Sequence, residues 1–395
     1  MKILYDHQIF EIRDAGGVSR YFYELIKNIR GQSDIIADLS IKKTNNIYLY
    51  EDPYFKGKIG KLNLFVDFIP GVNFRGKKRL YEFFKKIGVT SDDEKENINA
   101  SIDKIKSGGF DVFHPTYYDD YFIKYLDNKP FVLTIHDMIH EIYPEYFPLY
   151  CKDSRLKREL SRKAHKIIAI SNSTKKDIIE IFGIDERKIE VIYLGNSLKF
   201  NQAINEGSSH YINNNFIPEK YLLFVGSRAA YKNFYFFLIA IKKILEKNKD
   251  INVVCAGGGK FSNDEINFFN SLNLRERVFN FNIVEDNFLS YLYQKAIAFV
   301  FPSLYEGFGL PILEAFFCGC PAILSNSSSL PEIAEDAAIY FNPKNINSII
   351  EAVTEIIGNP KLRQQLKEKG DKQLKKFSWD KTVQLTKKVY ESVIK

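Results

Sequence analysis

Long apolar runs are missing from this 395-residue chain. None reaches the roughly 20 residues needed to span a bilayer, so no membrane-crossing helix is expected. The opening MKILYDHQIF lacks the basic stretch, apolar run and small-residue cleavage site of an export signal, and a cytoplasmic location is expected. Cysteine is scarce. Cys151, Cys255, Cys318 and Cys320 form no zinc-type set, and reduced thiols are the expectation. Cys318 and Cys320, on either side of Gly319, read as small buried fillers rather than a redox or metal pair. Excess charge is also modest, at +7. That is little for a nucleic-acid binder, and no RNA- or DNA-reading motif is present, so nucleic acid is not an expected partner. The surplus suits an anionic substrate or an anionic membrane surface.

What is present is length enough for two cores of roughly 150 to 200 residues each. Short β-branched apolar runs alternate with amphipathic ones. In the first half KILYD, DIIADLSI, FDVFH, FVLTIH, KIIAIS and KIEVIYL read as strands buried on both faces. GGVSRYFYELIKNIR places Val18, Phe22, Leu25, Ile26 and Ile29 at helical spacing. Residues 196–216 are polar and read as a linker. The alternation then restarts with YLLFVG, NVVCAG, RVFNFNIV, AIAFVF, PAILS and AAIYF. Strand–helix alternation predicts parallel sheets with helices on both faces, hence two α/β domains, 1–195 and 217–376, facing a ligand cleft at the strand ends. Residues 54–88 interrupt the pattern with nine Lys and Arg against two acids. That stretch reads either as an insertion carrying one amphipathic helix or as an interfacial element for peripheral contact with an anionic membrane.

The most informative stretch is FPSLYEGFGLPILEAFFCGCP, residues 301–321. Pro311 suits the first turn of a helix, and Gly319 its stop, so a helix is predicted from about Leu310 to Phe317. Gly307 and Gly309 free the backbone ahead of it. The start of that helix attracts phosphate through unpaired N–H groups. Glu306 and Glu314 add acceptors for hydroxyls on either side. Phosphate donors flanked by hydroxyl acceptors match a nucleotide sugar, with Glu314 at the ribose and Glu306 at the hexose. By spacing alone, a first-turn carboxylate and a solvated loop glutamate fit as well, so the surrounding residues must decide.

Those surroundings resemble a known family. FPSLYEGFGLPILEAFFCGCPAILSNSSSLPEIAEDAAIYFNP is similar, nearly position for position, to the signature of glycosyltransferase family 4. The resemblance implies a GT-B fold of two Rossmann-like α/β domains, the first binding the acceptor and the second the donor. It also implies a retaining transfer that needs no metal or other cofactor. A nucleoside diphosphate sugar would be the donor and a glycan or lipid-linked glycan the acceptor, as in the mannosyltransferases of surface polysaccharides.

Site residues follow by the same resemblance. SRAAYKN after the strand YLLFVG supplies Arg228 and Lys232 for the diphosphate. AGGVSRY supplies Gly16 and Gly17, opening the first helix towards the diphosphate from the other side. Phe308, Gly309 and Leu310 lead into the donor helix. Val284 is expected at the base, in a segment where the family usually has Gly and this chain has Asn282. His136, closing the strand FVLTIHD, is expected beside the transferred sugar. Asp137 either orients that ring, binds the acceptor or caps a helix, and His114, at another strand end, is an acceptor-side candidate. The last helix, 377–395, is expected to cross back to the first domain, with Trp379 packed there. No D-x-D pair follows a strand of the donor half, so no metal site is expected. An epimerase would require placed acid and base carboxylates, and a phosphorylase of this fold a pyridoxal lysine; neither set is present. A sugar-nucleotide sensor need not keep the leaving-group cations.

Overall fold

The structure, a computed structural model, describes residues 1–62, 93–148, 152–198, 211–212, 215–282 and 285–394. Most of the basic segment 54–88 lies outside these residues, as do Cys151 and Val284.

The twelve apolar runs form the strands of two parallel sheets. The first contains β1 (Lys2–Tyr5), β2 (Ile36–Leu39), β3 (Val112–His114), β4 (Val132–Ile135), β5 (Lys166–Ala169) and β6 (Ile189–Val191). Ladders β2-β1-β3 and β4-β5-β6 are joined by a parallel bridge between Phe113 and Phe131. The second contains β7 (Lys220–Val225), β8 (Ile251–Ala256), β9 (Val278–Phe281), β10 (Ala298–Phe301), β11 (Ala322–Ser325) and β12 (Ala338–Phe341), ordered β9-β8-β7-β10-β11-β12. Strands such as VLTI and AILS are buried at every position because helices cover both faces, which is why the runs lack polar alternation.

In the second sheet the order reverses between β7 and β10. The loops leaving these neighbours turn to opposite faces, and the crevice between them receives ligands in such sheets. Here those loops carry Lys232, just ahead of the helix α3 (Phe234–Lys247), and Glu306.

The helix α1 (Gly17–Arg30) buries Tyr21, Phe22, Leu25, Ile26 and Ile29 in the core. Full burial of an apolar side chain of this kind stabilises by roughly 1.5–3 kcal/mol. The final helix, α5 (Trp379–Val393), lies against α1 and β5 of the first unit. Trp379 donates to Ser197 Oγ (2.9 Å), and its ring lies 6.1 Å from that of Tyr21. The hydroxyl of Tyr390, fully buried, lies 2.8 Å from Tyr5 Oη and 2.7 Å from His114 Nδ1.

Tyr390→Phe would leave two buried polar groups of the first unit without their partner. Its unfolding free energy should fall by about 1–3 kcal/mol, read from urea denaturation against the wild type. An unchanged midpoint would show that the docked helix adds nothing to that core.

Candidate functional site

The loop after β10 is fixed from two directions. Glu306 N donates to Ser328 Oγ (2.8 Å), while Ser329 Oγ donates to the carbonyls of Glu306 (2.9 Å) and Phe308 (3.0 Å). Gly309 takes φ +103°, and a Cβ there would stand 2.9 Å from Ile312 Cδ1. It opens the helix α4 (Leu310–Phe317), whose Ile312, Leu313, Ala315 and Phe316 are buried. Glu314, one turn in, is only half-buried and accepts from Tyr293 Oη (3.1 Å). Burial pushes its carboxyl above the usual range, against the opposing pull of Arg20 and the Tyr293 hydroxyl.

Lys232 meets Glu306 in the switch-point crevice, with Nζ 2.6 Å from Oε1. The two side chains are 16% and 13% exposed, so the pair is shielded yet reachable. Burial works against the ammonium, but Glu306, Tyr231 and Asp137 together outweigh it and hold the lysine pKa above its ordinary value. Rings of Tyr231 and Phe301 flank the ammonium at 5.1 and 5.4 Å.

The first unit closes over this loop. A Cβ on Gly307 would stand 1.7 Å from the carbonyl oxygen of His136, so only glycine permits the approach. Thr174 Oγ1 donates to the Gly307 carbonyl (3.3 Å), and Met138 N to Tyr305 Oη (3.3 Å). Tyr305 donates in turn to Asp177 Oδ2 (2.6 Å). Glu332 accepts from Asn172 N (2.6 Å) and Ser173 N (3.0 Å), the opening N–H groups of helix α2 (Asn172–Phe182). Its negative charge there is favoured by the helix dipole. Gly16, at φ +142°, begins α1, and a Cβ on Gly17 would touch Leu310 Cδ1 at 3.8 Å. The starts of α1 and α4 therefore converge from opposite units.

His136 is buried, its ring edge-on to Tyr21 at 5.1 Å, with Nε2 lacking a partner. Burial lowers its pKa to about 4. Asp137 caps the next turn by accepting from Ile139 N (3.1 Å). Behind it sits Lys157, wholly buried, donating to Asp137 O (2.9 Å) and Glu141 Oε2 (3.0 Å). A cavity of about 880 Å³ runs between the units, lined by Arg20, Tyr48, Val225, Gly226, Gly257 and Asp286. Arg20 spans it, 3.0 Å from Asp286 Oδ2 and 2.7 Å from Ser197 O.

Three expected residues stand elsewhere. Arg228 does not join Lys232 in the cleft. Its guanidinium is buried against Glu265 (Nε to Oε1, 2.5 Å) and donates to the carbonyls of Gly257, Gly258 and Gly259. It holds the turn after β8, a bend whose glycines all have positive φ. His114 lines no cleft. Nδ1 meets Tyr390 Oη and Nε2 meets Thr134 Oγ1 (2.9 Å), and burial lowers its pKa to about 3. Phe308 turns its ring to Tyr193 and Phe377, leaving its backbone to the loop. Sequence reasoning missed Arg20, Lys157, Tyr293, Ser328, Ser329 and Glu332, whose partners lie far along the chain.

This arrangement has relatives. Residues 71–199 match the model described as Glycosyltransferase Family 4, and residues 209–373 the model described as Glycosyl transferases group 1. An uncharacterised glycosyltransferase of Methanocaldococcus jannaschii is 30% identical over 73% of this chain and 77% of its own length. This chain belongs to glycosyltransferase family 4. Within that family it is similar to O-antigen chain mannosyltransferase B of Escherichia coli, 28% identical over 66% of this chain and 70% of the relative. It is also similar to the O-antigen chain mannosyltransferase RfbU of Salmonella typhimurium, 30% identical over 58% and 65%. The sucrose-phosphate synthase of Thermosynechococcus elongatus shares the fold, with TM-score 0.72 at 18% identity over 100% of this chain and 99% of that one. The fold of this family 4 glycosyltransferase is GT-B. Among the described residues, no helix is long and apolar enough to cross a membrane.

Two of the buried histidines, His136 and His114, tie stability to pH most strongly. Both are held neutral in the fold, with pKa values of about 4 and about 3 for His136 and His114. The unfolded chain binds their protons first, near the ordinary histidine value of about 6.5. Their contribution is therefore complete above that pH and is lost as pH falls towards 4. Urea midpoints should drop between pH 7 and pH 4.5, and less steeply in His136→Asn. Equal slopes in the two proteins would refute the neutral, buried assignment of His136.

Proposed function

We propose that this enzyme moves mannose, with retention of configuration and without a metal, from GDP-mannose to a hydroxyl of a glycan or lipid-linked glycan in surface-polysaccharide assembly. The observation that carries the reading is the Lys232–Glu306 pair at the switch point, beneath His136 and beside the start of α4. The mannosyltransferase relatives support the choice of sugar.

Each group has a task that follows from its chemistry. The donor diphosphate displaces Glu306 as partner of Lys232, and the N–H groups opening α4 face the same charge. Positive charge of the ammonium offsets what develops on the leaving phosphate, the part a metal plays in other transferases. Glu314, with Tyr293, accepts from the ribose hydroxyls. Glu306, released from Lys232, lies beside the sugar ring, where its carboxylate stabilises the positive charge that develops at the anomeric carbon. His136 stays neutral and offers its unpartnered Nε2 to a sugar hydroxyl. The acceptor hydroxyl attacks from the face the phosphate leaves, and the departing phosphate oxygen takes its proton. No separate base is required.

Transfer from a panel of GDP-, UDP- and dTDP-sugars tests the reading, with the linkage read by NMR coupling constants. GDP-mannose should be the best donor, the product should keep the donor's anomeric configuration, and a chelator should leave the rate unchanged. An inverted product, or strict dependence on magnesium or manganese, would overturn it.

The ion pair itself makes a sharper forecast. Lys232→Ala should weaken nucleoside diphosphate binding and lose roughly 3–4 kcal/mol of transition-state stabilisation. Glu306→Gln removes the competitor for Lys232, so nucleoside diphosphate should bind at least as tightly while kcat falls. Calorimetry and steady-state rates on both variants separate the two effects. Weaker nucleoside diphosphate binding by Glu306→Gln would contradict the exchange of partners.

A further inference from the structure

The first sheet has a switch point of its own. Its order, β2-β1-β3, reverses between β1 and β3, so the loops after those strands diverge and leave a crevice. A cavity of about 290 Å³ occupies it. His7, Gln8 and Glu11 line it from the β1 side, and Tyr117, Asp119 and Tyr121 from the β3 side, with Asp153 at its edge.

The lining is held in place by hydrogen bonds beneath it. Gln8 donates to Asp6 Oδ2 (2.8 Å) and accepts from Asp119 N (2.8 Å). Tyr121 donates to the same buried Asp6 (3.1 Å), and Tyr117 to Asp153 Oδ2 (2.8 Å). Asp119 Oδ1 accepts from Tyr121 N (2.9 Å). Asp119 Oδ2 and Asp153 Oδ1 carry no hydrogen bond among the described residues. Aromatic rings bound one part of the space: Tyr121 packs on His7 at 5.6 Å and Tyr117 on Tyr118 at 4.6 Å. Aromatic faces suit the C–H face of a pyranose, and unpaired carboxylate oxygens suit its hydroxyls. Three carboxylates against one ammonium, that of Lys152, would repel an anionic sugar.

The cavity adjoins the reaction centre. Beside Tyr117, the hydroxyl of Tyr118 accepts from His136 N (3.3 Å). Asp153 lies 3.8 Å from His140 Nε2, the His140 ring lies 4.1 Å from Phe147, and Phe147 stacks at 6.4 Å on Tyr231, the neighbour of Lys232.

We propose that this cavity binds the terminal hexose of the acceptor glycan and that this hexose is neutral, a reading that rests on the glycosyl transfer proposed above. The probes are methyl glycosides of mannose, glucose, galactose and glucuronic acid, followed by saturation-transfer NMR on the enzyme holding GDP. At least one neutral hexoside should bind and the glucuronide should not. Asp119→Ala and Asp153→Ala should each weaken hexoside binding by roughly ten- to a hundredfold. GDP affinity, read by calorimetry, should match the wild type in both and so report an intact fold. With a working acceptor, the same variants should raise the acceptor KM and not the donor KM. Wild-type hexoside binding in both variants, equal binding of the glucuronide, or no hexoside binding at all would overturn the acceptor assignment alone. Failure of the wild type to bind any nucleoside diphosphate would instead bring down the transferase reading on which it rests.

Discussion

One close approach governs this molecule. Gly307 of the second unit lies under the carbonyl of His136 in the first, in a space that admits no side-chain carbon at all. Because the two loops touch there, the end of β4 and the end of β10 face one cleft. Everything else in the cleft is arranged around that contact. Thr174, Met138 and Tyr305 bond across it, Glu332 fastens the first turn of α2, and Arg20 reaches Asp286 on the far side. A site divided between two domains needs such a fixed point, since reacting groups misplaced by about 1 Å can lose a hundredfold in rate.

Charge is distributed with the same economy. Two cations that the sequence sets in one loop, SRAAYKN, do different work. Arg228 is consumed by Glu265 and three carbonyls, which makes it a brace for the turn after β8. Lys232 is paired with the single carboxylate of Glu306, which in the proposed reaction the donor diphosphate would replace. A buried cation with a counterion costs less to keep than a bare one.

Much of this was legible in the chain. Both sheets could be read because buried parallel strands leave unbroken apolar runs, and α4 because Gly309, Pro311 and Gly319 punctuate it over a short span. Glu306 and Lys232 could be nominated because both lie close after strands whose ends face a cleft. The limits are equally physical. His114 and His136 each close an apolar strand, and nothing local distinguishes them. The difference is Tyr390, 276 positions away, which claims the ring of His114, while Nε2 of His136 is left without a partner. Arg228 reads as a phosphate ligand until Glu265 is known to be its neighbour. Lys157 resembles any basic position of an amphipathic helix, and only the fold shows it sealed beneath Asp137 and Glu141. The serines that hold the Glu306 loop belong to SNSSSL, which on its face is an ordinary turn. Partners distant in sequence leave no local trace.

The return of the last helix to the first unit also has a bearing on how the protein is made. Tyr5 and His114 belong to the half that leaves the ribosome first, while the hydroxyl that satisfies them belongs to Tyr390, 276 positions beyond His114. At about 5–20 residues per second, roughly 10 to 40 s of synthesis separate the completion of the first sheet from the arrival of Tyr390. During that interval the amino-terminal half carries an open apolar groove with polar groups at its floor, where α5 will lie. Vectorial synthesis therefore leaves these groups unsatisfied until α5 emerges and docks, which makes α5 the latch that completes the first unit.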